Sequence, residues 1–207
     1  MDKKVIITIA RQYGSGGKTI GKMLSEEMDI PCYDRDIIRL ASEDSGIHER
    51  LFGQVDEIRT RSLKDILTSK SYDPNLIPPE SNEFTSKDNL FNYQAKIIKE
   101  LADKGSCIFI GRCADNILRD YDNVVRVFIH ADEDYCFQQA KERNSMSDSD
   151  LKTYIRKIDK HRADFYKYYT GNEWNNAKNY DLSLNTSKLG FEKCVEVIKD
   201  YVNIYCK

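Results

Sequence analysis

The stretch from Val5 to Thr19, VIITIARQYGSGGKT, constrains what this chain can fold into more than any other feature. A β-branched apolar run breaks into a glycine-rich turn, passes a Lys18-Thr19 pair and enters a sequence with helical periodicity. Such a strand–loop–helix unit cradles phosphate, because loop amides and the positive end of the helix dipole point at an anion. Glycine lets the backbone curl around phosphate with no Cβ in the way. Lys18 is spaced to reach the outer phosphates, and Thr19 to offer its hydroxyl to Mg²⁺. The unit implies a bound nucleoside triphosphate.

Two registers fit. In the pattern G-x-x-x-x-G-K-[ST], Gly17, Lys18 and Thr19 close the loop and the first glycine position falls on Gln12. In the other, Gly14-Ser15-Gly16 supplies a Gly-Ser-Gly loop and Gly17 stands where the lysine belongs. The first register keeps lysine and hydroxyl in their chemical roles and is preferred. The plain alternative is an ordinary glycine-rich turn at the start of an α/β domain.

Size and composition bound the rest. The 207 residues suit one α/β domain, 1–207, with small inserted lobes. A formal net charge of −2 argues against a general nucleic-acid binder or a membrane-surface protein. Only six apolar-leaning residues, 5–10, follow the polar start, too few for a signal h-region or a membrane span. Six cysteines (Cys32, Cys107, Cys113, Cys136, Cys194 and Cys206) make no C-x-x-C pair and no zinc spacing. Most sit in apolar runs and read as small buried hydrophobes in a reduced, cytoplasmic protein.

Apolar periodicity predicts strands over 5–10, 31–33, 106–110, 124–129 and 180–185. It predicts helices over 17–28, 86–103, 131–143, 148–169 and 189–205, another beginning near Asp36, and a helical piece over 55–68. Strands alternating with helices imply a parallel five-stranded sheet with helices on both faces, an α/β fold. The pattern loosens over 44–87, where three of the four prolines fall within 74–79, which predicts a mobile surface excursion.

Four segments carry a family resemblance: Ile7 to Gly17, Tyr33-Asp34-Arg35-Asp36, Ile110-Gly111-Arg112-Cys113-Ala114-Asp115, and Tyr180 to Thr186. Together they resemble the cytidylate-kinase-like family of P-loop proteins, over nearly the whole chain. The resemblance implies a P-loop NTPase fold with a nucleoside-monophosphate-binding element, placed at about 44–87, and a LID, placed at about 144–175. It implies ATP and Mg²⁺ as cofactors, with a nucleoside monophosphate as acceptor. Gly111-Arg112 resembles the Asp-Gly-Arg-Asp motif of cytidylate kinases, whose arginine faces the acceptor; here Ile110 and Cys113 replace the acids. Arg162 resembles the LID arginine that clamps phosphates, with Arg156 and Lys160 on nearby turns.

Phosphoryl transfer needs in-line positioning and several cations around the equatorial oxygens. The candidate catalytic residues are Lys18, Arg112, Arg162 and Arg156. Gln12, Tyr13, Gly14, Ser15, Gly16, Gly17, Lys18 and Thr19 would hold ATP, with Thr19 toward the metal. Arg11, Asp34, Arg35 and Arg112 are the candidate acceptor residues. Each has a plain alternative: a surface ion pair for Arg11 and Arg35, a solvated helix face for Arg162, a helix cap for Asp34. Asp115 reads as a helix-surface residue, His161 as solvent-exposed, and Tyr166, Tyr168, Tyr169 and Trp174 as a packing cluster or a base-stacking one. Asn185-Thr186-Ser187 falls where this fold passes the adenine. Three functions remain open: a kinase of a nucleoside monophosphate such as CMP, a kinase of a non-nucleotide metabolite, and a nucleotide-binding regulatory module without turnover.

Overall fold

A computed structural model describes residues 4–55 and 73–205. Most of the helical piece expected over 55–68 lies outside these residues. Five strands form one parallel sheet in the order β2-β3-β1-β4-β5. They are β1 (Ile6–Arg11), β2 (Cys32–Tyr33), β3 (Cys107–Ile110), β4 (Val124–His130) and β5 (Leu182–Asn185). The helices are α1 (Gly17–Met28), α2 (Asp36–Ser45), α3 (Glu49–Val55), α4 (Lys87–Lys104), α5 (Ala114–Ile117), α6 (Glu133–Lys141), α7 (Asp148–Thr170) and α8 (Thr186–Tyr205). No described helix is long and apolar enough to cross a membrane.

Central strands buried on both faces read as near-continuous apolar runs: β3 is apolar throughout, while β1 is interrupted by Thr8 and β4 by Arg126. Strand alternation divides their side chains between two cores. Ile7, Ile9, Ile108, Ile110, Val125, Val127 and Ile129 pack with Ile20 and Leu24 of α1 and Val195, Ile198 and Val202 of α8. Ile6, Ala10, Cys107, Phe109, Val124 and Phe128 pack on the opposite face with residues of α2, α4 and α7. Cys107, Cys113, Cys136 and Cys194 are buried free thiols, and Cys32 is partly buried.

Three helix ends show local causes. Ser86 and Ser147 accept from the third amide of α4 and α7, respectively. Gly171 closes α7 in the left-handed conformation, its N–H donating to the Lys167 carbonyl. The proline segment is tied down rather than loose. Buried Asn89 on α4 bonds both the N–H (2.9 Å) and the carbonyl (3.2 Å) of Ile77, and also the Phe84 carbonyl (2.8 Å). Asn92 accepts from the Asp73 N–H at 3.2 Å. One buried amide thus satisfies backbone groups that the prolines cannot pair among themselves.

Candidate functional site

The register Ile9↔Ile110 makes β1 and β3 end side by side at the carboxyl edge of the sheet. In open α/β sheets ligands bind at that edge, where neighbouring connections diverge. After β1 the chain enters the 12–19 loop, with Gly14 at φ 79° and Gly16 at φ 82°. A Cβ on Gly16 would also collide with the Phe191 ring. Buried Ser15 places its hydroxyl within hydrogen-bond distance of the Gln12 (2.9 Å) and Ile129 (3.1 Å) carbonyls. Thr186 donates to the Ser15 carbonyl at 2.9 Å. The loop is therefore braced from behind, and the first-turn amides of α1, at 17–19, have no acceptor inside the helix.

This loop opens on a cleft of about 820 Å³, within the usual size of ligand sites. Arg11, Lys18, Arg35 and Arg112 line it from the sheet side. Arg143, Lys157 and Arg162 line it from α6–α7. Asp34 and Asp115 are the carboxylates that line it. Cations thus converge on one concave surface of a chain whose formal net charge is −2.

Lys18 Nζ donates to Asp34 Oδ2 at 2.7 Å. Burial pushes the Asp34 carboxyl up, but the Lys18 hydrogen bond and the charges of Arg11, Lys18 and Arg112 outweigh it and hold the carboxyl below its usual value. Asp34 does not cap α2; that position belongs to Arg35, which is exposed and makes no side-chain cap bond.

Beyond β3, Gly111, Arg112 and Cys113 all have positive φ (74°, 58° and 55°). Such angles cost a non-glycine residue about 1–2 kcal/mol each and persist only where surrounding contacts enforce them. The left-handed φ of Gly111 favours glycine, and a Cβ there would also press on the Arg11 guanidinium. The turn aims Arg112 inward, where its Nη1 donates to Gln94 Oε1 at 2.7 Å and its Nε to the Asp34 carbonyl at 3.3 Å.

Helix α7 leans over the loop. The cleft is lined by Tyr154, Lys157, Ile158, His161, Arg162 and Phe165, a stripe at the three-to-four residue spacing of one helix face. Arg156 is off that stripe and exposed, and Lys157 occupies the cleft instead. His161, expected in solvent, lines the cleft, with its Nδ1 buried. Arg162 Nη1 donates to the Arg11 carbonyl and to Asp159 Oδ1, both at 3.0 Å. Asp159 Oδ1 also accepts the Tyr13 N–H at 2.8 Å. Arg162 lies 5.8 Å from the centre of the Tyr13 ring, which meets Tyr154 edge-on at 5.5 Å. Burial raises the Asp159 carboxyl above its usual value, against the opposing pull of Arg162 and the Tyr13 N–H.

Asp115 is not a surface residue. It is 6% exposed and accepts the Tyr166 hydroxyl at 2.6 Å. Burial pushes its carboxyl up to about 6, the Tyr166 bond opposing the shift. Phe165, Tyr166 and Trp174 line the cleft beside it. Tyr169 instead stacks on Phe91 in the core, at 3.8 Å between ring centres. Asn185, Thr186 and Ser187 do not line the cleft: Thr186 is buried under the loop and Asn185 donates to Asp132 at 3.1 Å.

Sequence reasoning missed Gln94, Arg143, Lys157 and Asp159. Gln94 meets a partner 18 positions away, and Asp159, though three residues from Arg162, has its role set by the Tyr13 amide 146 positions away. A nucleotide polyphosphate fits the residues present, since left-handed glycines, first-turn amides and convergent cations are the groups that hold one. Thr19 lines the same cleft, and its hydroxyl would suit a phosphate-bound Mg²⁺.

Loop and sheet order define a P-loop kinase-type fold. The sequence profile of the cytidylate kinase-like family matches residues 6–188, and the chain belongs to that family. No curated protein matches it. Among solved structures it resembles an uncharacterized protein from Eubacterium ventriosum, with a TM-score of 0.71, 23% identity, and coverage of 97% of this chain and 99% of that one. It also resembles the shikimate kinase from Bacteroides thetaiotaomicron, with a TM-score of 0.56, 14% identity and coverage of 97% and 99%. A sugar kinase from Janibacter sp. aligns with a TM-score of 0.54, 11% identity and coverage of 98% and 96%. These likenesses establish the fold.

Proposed function

We propose that the protein is a phosphotransferase that moves the terminal phosphoryl group of ATP to a small acceptor, a nucleoside monophosphate such as CMP. Membership of a kinase-like family supports the class. The observation that carries the reading is the convergence of Lys18, Arg35, Arg112, Arg143, Lys157 and Arg162 on one cleft beside the 12–19 loop. ATP with Mg²⁺ lies on residues 12–19, with Thr19 toward the metal. Mg²⁺, held beside the Thr19 hydroxyl, would supply positive charge that offsets the charge of the phosphates. Lys18 exchanges Asp34 for the β- and γ-phosphates. Arg11, Arg35 and Arg112 hold the acceptor phosphate, and Arg162 clamps the transferred group from α7. Arginine's planar fork suits both tasks. Closure by α7 excludes water, which would otherwise take the phosphoryl group. A phosphate acceptor is already an anion, so no general base is required.

One observation favours a second reading. Asp34 is held ionised beside Lys18 in the cleft. A carboxylate there would take the proton of a hydroxyl acceptor, a step that a phosphate acceptor does not need.

The test incubates the full chain with ATP·Mg²⁺ and CMP, dCMP, UMP or AMP, and follows ADP release and phosphorylated product. The first reading expects turnover with at least one of them. Turnover confined to hydroxyl acceptors, with shikimate and simple sugars as probes, moves the assignment to the second reading. ATP binding with no turnover on either panel contradicts both and leaves a nucleotide-binding module.

A further inference from the structure

We propose that Gln94 is a positioning residue for the acceptor: from α4 it fixes the guanidinium of Arg112 in the orientation that receives an anionic substrate. The inference rests on the reading of the cleft as a phosphotransferase site. Gln94 is 1% exposed and sits on α4 among apolar neighbours that include Leu90, Ala95, Ile97 and Ile98. Its Oε1 accepts from Arg112 Nη1 at 2.7 Å. A guanidinium only donates, so the amide oxygen must face it and the amide orientation is forced. The Nε2 group then points away, and it has no hydrogen-bond partner among the described residues.

A buried amide donor without a partner lowers stability, and a leucine of similar length would avoid the cost. Packing therefore does not explain a glutamine here, whereas its contact with Arg112 does. The amide is neutral, so it orients the guanidinium without cancelling its charge. Arg162 on α7 is held differently, by the carboxylate of Asp159. The backbone agrees with this assignment. Arg112 adopts φ 58°, a conformation tolerated where contacts hold the residue in place. The Asp34 carbonyl steadies Nε from the other side at 3.3 Å. Chain direction, amide and carbonyl thus converge on one side chain that lines the cleft.

The test compares Gln94→Leu and Gln94→Glu with the unmodified chain in two readouts. The first needs no acceptor. In the ¹⁵N spectrum of arginine side chains, the Arg112 guanidinium signals, assigned with Arg112→Lys, stay resolved by restricted rotation in the unmodified chain. Gln94→Leu averages them while leaving the melting temperature unchanged or higher. Gln94→Glu keeps them resolved. The second readout is kinetic, with CMP as the probe. Both variants raise KM for CMP about tenfold or more, leucine by removing the acceptor that orients Nη1 and glutamate by neutralising the guanidinium, while KM for ATP stays within about twofold.

Arg112 signals unchanged by Gln94→Leu overturn the inference, as does a lowered melting temperature with KM for CMP unaltered. If the unmodified chain turns over no acceptor at all, the proposed function fails, and the spectroscopic arm still decides whether Gln94 positions Arg112.

Discussion

The Asp115 carboxyl is buried against the Tyr166 hydroxyl, and burial lifts its pKa to about 6. In an unfolded chain an aspartate titrates near pH 3.9. The native state thus holds a proton that the unfolded state has released across the window from about pH 4 to 6. Stability contributed by Asp115 is complete below that window and is lost as pH rises through it, on the order of 2–3 kcal/mol in all. Asp115→Asn is neutral at every pH and keeps an oxygen for Tyr166. Its stability relative to the unmodified protein should therefore grow from pH 4 to pH 7, measured by urea denaturation at a series of pH values. A difference that stays constant with pH would show that the carboxyl is not charged at a cost. Nothing in the sequence separates a buried Asp115 from an exposed one. The four-residue helix α5 is too short to show a periodicity, and the partner lies 51 positions away.

At the scale of elements, α7 is tied to the phosphate loop by one carboxylate. Asp159 receives the Tyr13 N–H and an Arg162 N–H, and Arg162 reaches the Arg11 carbonyl. Removing it leaves the Tyr13 amide without its partner and Arg162 held, among the described residues, only by the Arg11 carbonyl and the Tyr13 ring, which loosens the helix on the loop. Asp159→Ala should lower kcat by about tenfold or more, since misplaced clamps are costly in transfer reactions. It should also raise ATP hydrolysis relative to acceptor phosphorylation, because water enters a site that closes poorly. Comparing ADP release with phosphorylated product checks both effects; a variant matching the parent in rate and in coupling would contradict them. The helix itself was legible, with bounds within a residue of those expected. Its phase toward the cleft was not, because charges cover much of its surface. Arg156 and Lys157 are adjacent in sequence, and docking alone selects the lysine. The prolines at 74–79 suggested mobility for the same kind of reason: the buried Asn89 that pins them belongs to the following helix.

At the scale of the molecule, the five strands and their parallel direction follow from apolar runs alternating with helical stretches, and those runs are visible without coordinates; the order β2-β3-β1-β4-β5 is not. The opening loop is equally legible, because left-handed turns demand glycine at 14 and 16. The convergence of Arg143 and Lys157 with Lys18 and Arg112 is not, since it depends on how α6 and α7 fold back over the sheet edge. That convergence makes one cleft cationic in a chain of formal net charge −2. A calorimetric titration of ATP·Mg²⁺ into the full chain tests it most directly. Saturable binding of one nucleotide is expected, weakening as salt is raised and by about tenfold or more in Lys18→Ala. An absence of heat at saturating ATP, with no rise in melting temperature, would contradict the account.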